Sequence, residues 1–223
     1  MSIQPGWWNK PRRISVVVDN PSWILPFAER LVSEFCADGD DAALFREYAS
    51  VPDGVIAFFL GCIHIAGPEI LARNRRNLIV HESELPEGRG FSPLTWQILE
   101  GKKRVGICLL EAVEQVDAGP VIYRDWLNFA GHELIDELHG QQGEKTIELC
   151  RRFVAEPVPL AGERQSAQST FYPRRTPVDS RIDTNRSVAD QFDLLRVVDN
   201  ERHPAWFEHR GRRYKLAIQK VSN

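Results

Sequence analysis

The stretch IVHESELPEGRGFSPLTWQILEG, Ile79 to Gly101, decides how the rest of the chain is read. It opens with an apolar run ending on His81, passes through charges, prolines and glycines, and then takes up the apolar spacing of a helix. A strand ending on one titratable side chain is a common way to build an active site, because the strand fixes the residue while the loop admits a ligand. Ile79 and His81 lie two apart, so they share a strand face and Val80 points the other way. The segment SPLTWQILEGKK is expected to be a helix capped by Ser92, with Pro93 at its first position and Gly101 at its end.

Upstream, RISVVVDN reads as a buried strand and PSWILPFAERLVSEFCADG as a helix from near Ser22 to Gly39. AALFREY and GVIAFFLG read as further strands, and GPEILARNRR as a short helix before the strand NLIVHE. Strands separated by helices argue an α/β fold, a Rossmann-like and mostly parallel sheet flanked by helices, with right-handed crossovers. Downstream, VGICLLEAV and DAGPVIYRDWLNF are strand-like, and HELIDELHGQQGEKTIELCRRFVAE is helical with interruptions expected at Gly140 and Gly143. The boundaries that follow are a catalytic domain over 1–156, a polar linker rich in Gly and Pro over 157–168, and a small C-terminal α+β module over 169–223. That module should hold a helix in SVADQFDLLRVVDN and a hairpin in AWFEHRGRRYKLAIQK turning near Gly211.

The 223 residues carry 28 Lys and Arg against 31 Asp and Glu, a net charge of −3, so no basic field is present to hold a nucleic-acid backbone. The beginning, MSIQPGWWNKPRR, lacks the apolar core of a signal peptide, and no stretch is long and apolar enough for a bilayer. A cytoplasmic protein without membrane or nucleic-acid partners is expected. Cys36, Cys62, Cys108 and Cys150 are widely spaced in or beside apolar stretches, as reduced thiols would be. HELIDELH is not the zinc motif HExxH, so no metal is expected, and His132, Asp136 and His139 read as a solvated helix face. GEKT lacks the upstream glycine of a phosphate loop, and no GxGxxG follows the first strand.

A second polar position lies in EQVDAGPV, where Asp117 follows a strand and precedes Ala-Gly-Pro. An Asp before such a sequence is commonly a turn former, but a carboxylate close to a histidine also fixes the ring's tautomer, as acid–base transfer requires. His81 and Asp117 together are therefore the candidate pair.

VHESELPEGRGFSPLTWQILEG followed by VGICLLEAVEQVDAGPVIY resembles the folate-dependent formyltransferases. Their motif runs Asn-x-His-x-Ser-Leu-Leu-Pro, then Arg-Gly, a Pro-x-x-Trp helix and Asp-x-Gly, and the resemblance covers Ile14 to Tyr123. FYPRRTPVDSRID with LLRVVDNERHPAWFEHRGRRYKL is similar to the small module of nucleotide-sugar N-formyltransferases, especially the pseudaminic-acid-type branch that serves surface glycans. The transfer RNA enzymes carry a larger, more basic C-terminal domain.

The resemblance implies a donor, N10-formyltetrahydrofolate, and an acceptor, the primary amine of an amino sugar linked to UDP or dTDP. His81 and Asp117 fall on the family's catalytic His and Asp, whereas its catalytic Asn falls on Ile79. Asn77 shares the strand face but lies about 7 Å further along. Ser83 or a loop amide is the expected helper for the oxyanion. Leu60, Cys62, Leu110 and Ala112 would lie along the pteridine, with Leu85 and Pro86 at the mouth and Trp96 packed beneath the loop. Arg89, Arg174 and Arg175 are the candidates for the diphosphate. The exposed strands of the C-terminal hairpin suggest a homodimer. Two rival expectations are a formyltetrahydrofolate hydrolase using the same pair, and a homologue that binds folate or nucleotide without catalysis because Ile79 replaces the Asn.

Overall fold

The computed structural model describes residues 5–166 and 168–221. Its centre is a six-stranded sheet in the order β2-β1-β3-β4-β6-β7, formed by β1 (Arg13–Val17), β2 (Asp41–Phe45), β3 (Gly54–Phe59), β4 (Asn74–His81), β6 (Arg104–Glu111) and β7 (Val121–Asn128). Strands β2, β1, β3 and β4 pair in parallel, while β6 and β7 add antiparallel. The central strands are apolar because helices and loops cover both of their faces.

On one face, α1 (Leu25–Ala37) and α4 (Ile135–Ala155) bury Leu31, Phe35, Ile147, Leu149 and Phe153 against Ile14, Val16, Phe58 and Leu78. On the other, Val17, Ala57 and Phe59 meet Ile70 of α2 (Pro68–Leu71), with Ile79, Cys62 and Ala112 half-buried at its margin. The chain leaves β1 toward β2 and later returns to place β3 on β1's other side. This reversal opens a crevice at the strands' carboxyl ends, where ligands of open α/β sheets bind.

Several elements differ from their sequence expectations. Strand β4 begins at Asn74, inside the expected helix, leaving α2 only four residues. Helix α4 runs unbroken through Gly140 and Gly143. A Cβ on Gly143 would lie 2.6 Å from the Phe27 ring, so this glycine serves close contact with α1 rather than a helix break. Ser92 stands at the N-cap of α3 (Pro93–Leu99) with φ 48° and ψ 47° and makes no side-chain cap. The helix expected over SVADQFDLLRVVDN is reduced to a 3-10 turn, Ala189–Gln191, and α5 (Phe192–Arg196). The β-branched pair Val197 and Val198 leaves the helix so that Val197 enters the main core and Val198 a small core with Leu195 and Ala205.

The hairpin of β9 (Ala205–His209) and β10 (Arg212–Leu216) turns through Arg210 and Gly211, both at positive φ. The segment between α4 and this hairpin lies against the sheet domain. Glu163 and Val121 exchange backbone hydrogen bonds of 2.7 and 2.8 Å, and β8 (Phe171–Tyr172) pairs with β5 (Arg89–Gly90). Trp96 takes up this segment by donating to the Pro173 carbonyl at 2.9 Å and stacking on Tyr172. Further along, Arg196, 1% exposed, donates to the Glu133 carboxylate at 2.8 Å. Among the described residues no helix is long and apolar enough to cross a membrane, and no three His, Cys, Asp or Glu side chains could share a metal ion.

Candidate active site

His81 is the last residue of β4 and is 5% exposed. A carbonyl can only accept, so the 2.8 Å contact with the Gly88 carbonyl assigns the hydrogen to His81 Nε2. His81 Nδ1 stands 3.5 Å from Asp117 Oδ2, an ion-pair separation longer than a good hydrogen bond. The loops thus bring together two residues 36 positions apart, as 117 − 81 gives.

Asp117 adopts the left-handed region at φ 51°, and its Oδ2 accepts the Gly90 N–H at 2.8 Å. Gly119 explains the Asp-Ala-Gly pattern, because a Cβ there would collide with the Glu111 carbonyl oxygen. The turn is clamped from outside by Gln165, whose Nε2 donates to the carbonyls of Asp117 at 2.8 Å and Gly119 at 2.7 Å. Gln165 Oε1 in turn accepts from Arg89 at 2.7 and 3.2 Å.

The pair lines a cleft of about 700 Å³ at the sheet's carboxyl edge. Its apolar wall includes Ile79, Leu60, Cys62 and Ala112, and burial pushes the Cys62 thiol up to about 12, so Cys62 stays a neutral thiol. The opposite wall carries Glu82, Gln142, Thr146 and His139. Burial pushes the Glu82 carboxyl above its ordinary value, with nearby His81 and the Gln142 amide pulling the other way. At the outer end stand Arg174, Arg175, Arg202 and His203. Arg174 also covers the Phe91 ring at 4.2 Å, and Arg202 Nη1 donates to the Pro21 carbonyl at 2.7 Å.

Of the expected site residues, His81, Asp117, Leu60, Cys62, Ala112, Arg174 and Arg175 line this cleft. The others are placed elsewhere. Leu85 and Leu110 pack with Cys108 and Val121 in a closed cluster, and Pro86 lies outside the cleft lining. Ser83, 1% exposed, has a hydroxyl buried without a partner beneath the loop. Arg89 is spent on Gln165. The amide of Asn77 donates to the Leu71 and Asn74 carbonyls, and Asn77 does not line the cleft. His139, expected on a solvated face, instead stacks on Trp23 with centroids 4.2 Å apart and planes 5° apart. Cys36 is exposed, Cys62 is half-buried, Cys108 and Cys150 are buried, and all four are free.

The sequence reading passed over Glu82, Gln142, Gln165 and Arg202. Glu82 was visible as the neighbour of His81, whereas Gln165 gave no local signal, standing 48 residues from Asp117. A larger groove of about 850 Å³, between the N-terminal segment, α1 and α4, contains neither His81 nor Asp117. Its Arg30 and Arg151 pair with Glu144 and Glu34.

A mostly parallel α/β sheet whose switch-point cleft holds a buried His–Asp pair has the groups that acid–base group transfer or hydrolysis requires. Residues 41–146 match the formyl transferase family. That segment is similar to the formyl transferase domain and spans a little under half of the chain. Its fold is similar to that of a methionyl-tRNA formyltransferase from Clostridium thermocellum, at TM-score 0.80 and 19% identity over 94% of this chain and 93% of that one. It is also similar to a likely sugar N-formyltransferase from Mycobacterium tuberculosis, at TM-score 0.73 and 16% identity over 95% and 99% of the two chains. HypX from Aquifex aeolicus, solved with tetrahydrofolic acid, gives TM-score 0.73 and 16% identity over 94% of this chain and 38% of that one. At these identities the likenesses establish the fold.

Proposed function

We propose that the protein transfers a formyl group from N10-formyltetrahydrofolate to the primary amine of a nucleotide-linked amino sugar, carried on UDP or dTDP. The observation that carries the reading is one cleft with the His81–Asp117 pair at its depth and Arg174, Arg175 and Arg202 at its outer end. The half-buried Ile79, Cys62 and Ala112 suit a flat heteroaromatic donor, and guanidinium groups suit a diphosphate by geometry and charge. A chain of net charge −3 fits a small anionic acceptor better than a transfer RNA. The C-terminal hairpin remains our candidate for a homodimer contact.

Attack of the neutral amine on the formyl carbon pushes the carbonyl pair onto oxygen and leaves a cationic nitrogen. His81 Nδ1 takes the proton of that nitrogen and returns it to the leaving N10 of the donor. The imidazolium formed in between lies 3.5 Å from the Asp117 carboxylate, which stabilises it. Ile79 supplies no amide, so the same transient charge on His81 is the stabiliser we assign to the oxyanion.

The test is mass spectrometry on the protein incubated with N10-formyltetrahydrofolate and a panel of nucleotide-linked amino sugars, with His81→Ala alongside. A formylated sugar from the parent protein, with transfer lowered about 10²- to 10⁴-fold in His81→Ala, is expected. Formate release independent of any acceptor would replace transfer with hydrolysis. Donor binding with no turnover of either kind would make the chain a binding protein.

A further inference from the structure

The transfer reading leaves a proton without a carrier. An amino sugar's amine enters at neutral pH as an ammonium, RNH3+, and leaves as an amide, RNH–CHO, so it loses two protons. Only one is taken up by N10 as the C–N10 bond breaks, and the other must reach water. His81 has no second site for it, because Nε2 is held by the Gly88 carbonyl and Nδ1 already carries the proton that moves from the attacked nitrogen to N10.

We propose, resting on that reading, that Glu82 is the second acid–base group of the cleft. It takes the first proton from the acceptor's ammonium and passes it to water, leaving His81 to carry the proton that moves from the attacked nitrogen to N10. The step balances as Glu82–COO− plus RNH3+ giving Glu82–COOH plus RNH2. The amine lone pair then forms the N–C bond, and the C–N10 bonding pair departs with the proton from His81.

Glu82 follows His81 directly and lines the same cleft, half-buried as a residue, with its carboxyl set against the Gln142 amide. Its backbone is fixed: Gln97 Nε2 donates to the Glu82 carbonyl at 2.6 Å and to the Pro93 carbonyl at 3.1 Å. The ionisable groups acting on it are His81 and Asp117, and the amide of Gln142 on α4 faces it across the cleft, where His139 also stands. Burial lifts the carboxyl above its ordinary value of 4.5, which narrows the gap to an amine and makes it a better base when ionised.

The experiment is kcat/KM for the acceptor between pH 6 and pH 9, measured for the parent protein, Glu82→Gln and Glu82→Asp. Without the carboxylate, only amine that is already neutral can react. For an amine of pKa near 8 that is roughly one part in 30 at pH 6.5. The expected result is therefore a deficit of about 30-fold for Glu82→Gln at pH 6.5 that shrinks to within about threefold at pH 9. Glu82→Asp should recover most of the low-pH rate, and both variants should bind a non-reactive folate analogue as the parent does. A Glu82→Gln deficit that is flat with pH, or no deficit, overturns the proposal while leaving transfer intact. Failure of the parent protein to formylate any amine overturns the transfer reading, and the role of Glu82 with it. Should Glu82→Gln lose folate binding, the residual deficit of Glu82→Asp decides: one larger at pH 6.5 than at pH 9 supports the proposal, and one that is flat with pH, or absent, overturns it.

Discussion

His139 should make the protein lose stability on mild acidification. Its imidazole is stacked on Trp23 at 4.2 Å within the cleft wall, and burial pushes its pKa down to about 4, with only Asp199 acting in the opposite sense. An unfolded chain binds that proton near pH 6.5. Between about pH 6.5 and pH 4 the unfolded state therefore holds more protons than the native state, and stability falls as pH falls through that window. Linkage between those two pKa values gives about 2 kcal/mol lost from pH 7 to pH 5. His139→Phe keeps an aromatic ring against Trp23 and removes the titration. Urea unfolding followed by fluorescence, at pH 7 and pH 5 for both proteins, isolates the effect because all other groups titrate alike in each. The parent should lose about 2 kcal/mol more than His139→Phe over this interval. Equal losses, within about 0.5 kcal/mol, would refute the burial argument.

Gln165→Ala removes two hydrogen bonds to the carbonyls behind Asp117 and leaves the Arg89 guanidinium, 9% exposed, without its acceptor. A loss of about 2–3 kcal/mol is expected, seen in calorimetry as a fall of roughly 5–10 °C in Tm, together with a larger drop in kcat than rise in KM. Tm and kcat both at parental values would show that the clamp does not hold Asp117. Arg202→Ala and Arg174→Ala each remove a guanidinium from the outer end of the cleft. Each should raise KM for the nucleotide sugar about tenfold or more, by loss of a charge-assisted hydrogen bond, while KM for the folate donor stays within about twofold. An unchanged acceptor KM would place the diphosphate elsewhere.

The parts of the fold that were legible in the sequence are those whose residues answer to local physics. GVIAFFLG announces a central strand because both its faces are covered, and the alternation through Ile79, Val80 and His81 assigns faces correctly. Where the reading failed, a distant partner overrode local preference. ARNRR looks too polar for a strand, yet Asn74 and Asn77 are buried in β4 through hydrogen bonds with Pro52, Leu71 and Asn74 itself. Gly143 looks like a helix breaker until the Phe27 ring is set against it. The same holds in the site. His81 and Asp117 stood out because residue type and flanking loop agreed, whereas the fate of Arg89 depends on Gln165, 76 residues away.

Ile79 shows how far one side chain can redistribute the chemistry of a cleft. It lies in register with Phe59 on one side and Leu110 on the other, half-buried among apolar neighbours. Strand β4 therefore offers the cleft a single polar side chain from its own face, His81, because the amide of Asn77 is already committed to backbone carbonyls. An amide at that position would supply a neutral hydrogen-bond donor, but here the charge developing on the formyl oxygen is left to His81, whose ring is held by the loops around it. The loops of the site are accordingly anchored by hydrogen bonds. Gly88 holds the His81 ring, Gly90 holds the Asp117 carboxylate, Gln165 holds the turn, and Gln97 holds the backbone of Glu82. Such anchoring is what electrostatic stabilisation requires, since a dipole or charge helps a transition state only to the extent that it is oriented beforehand.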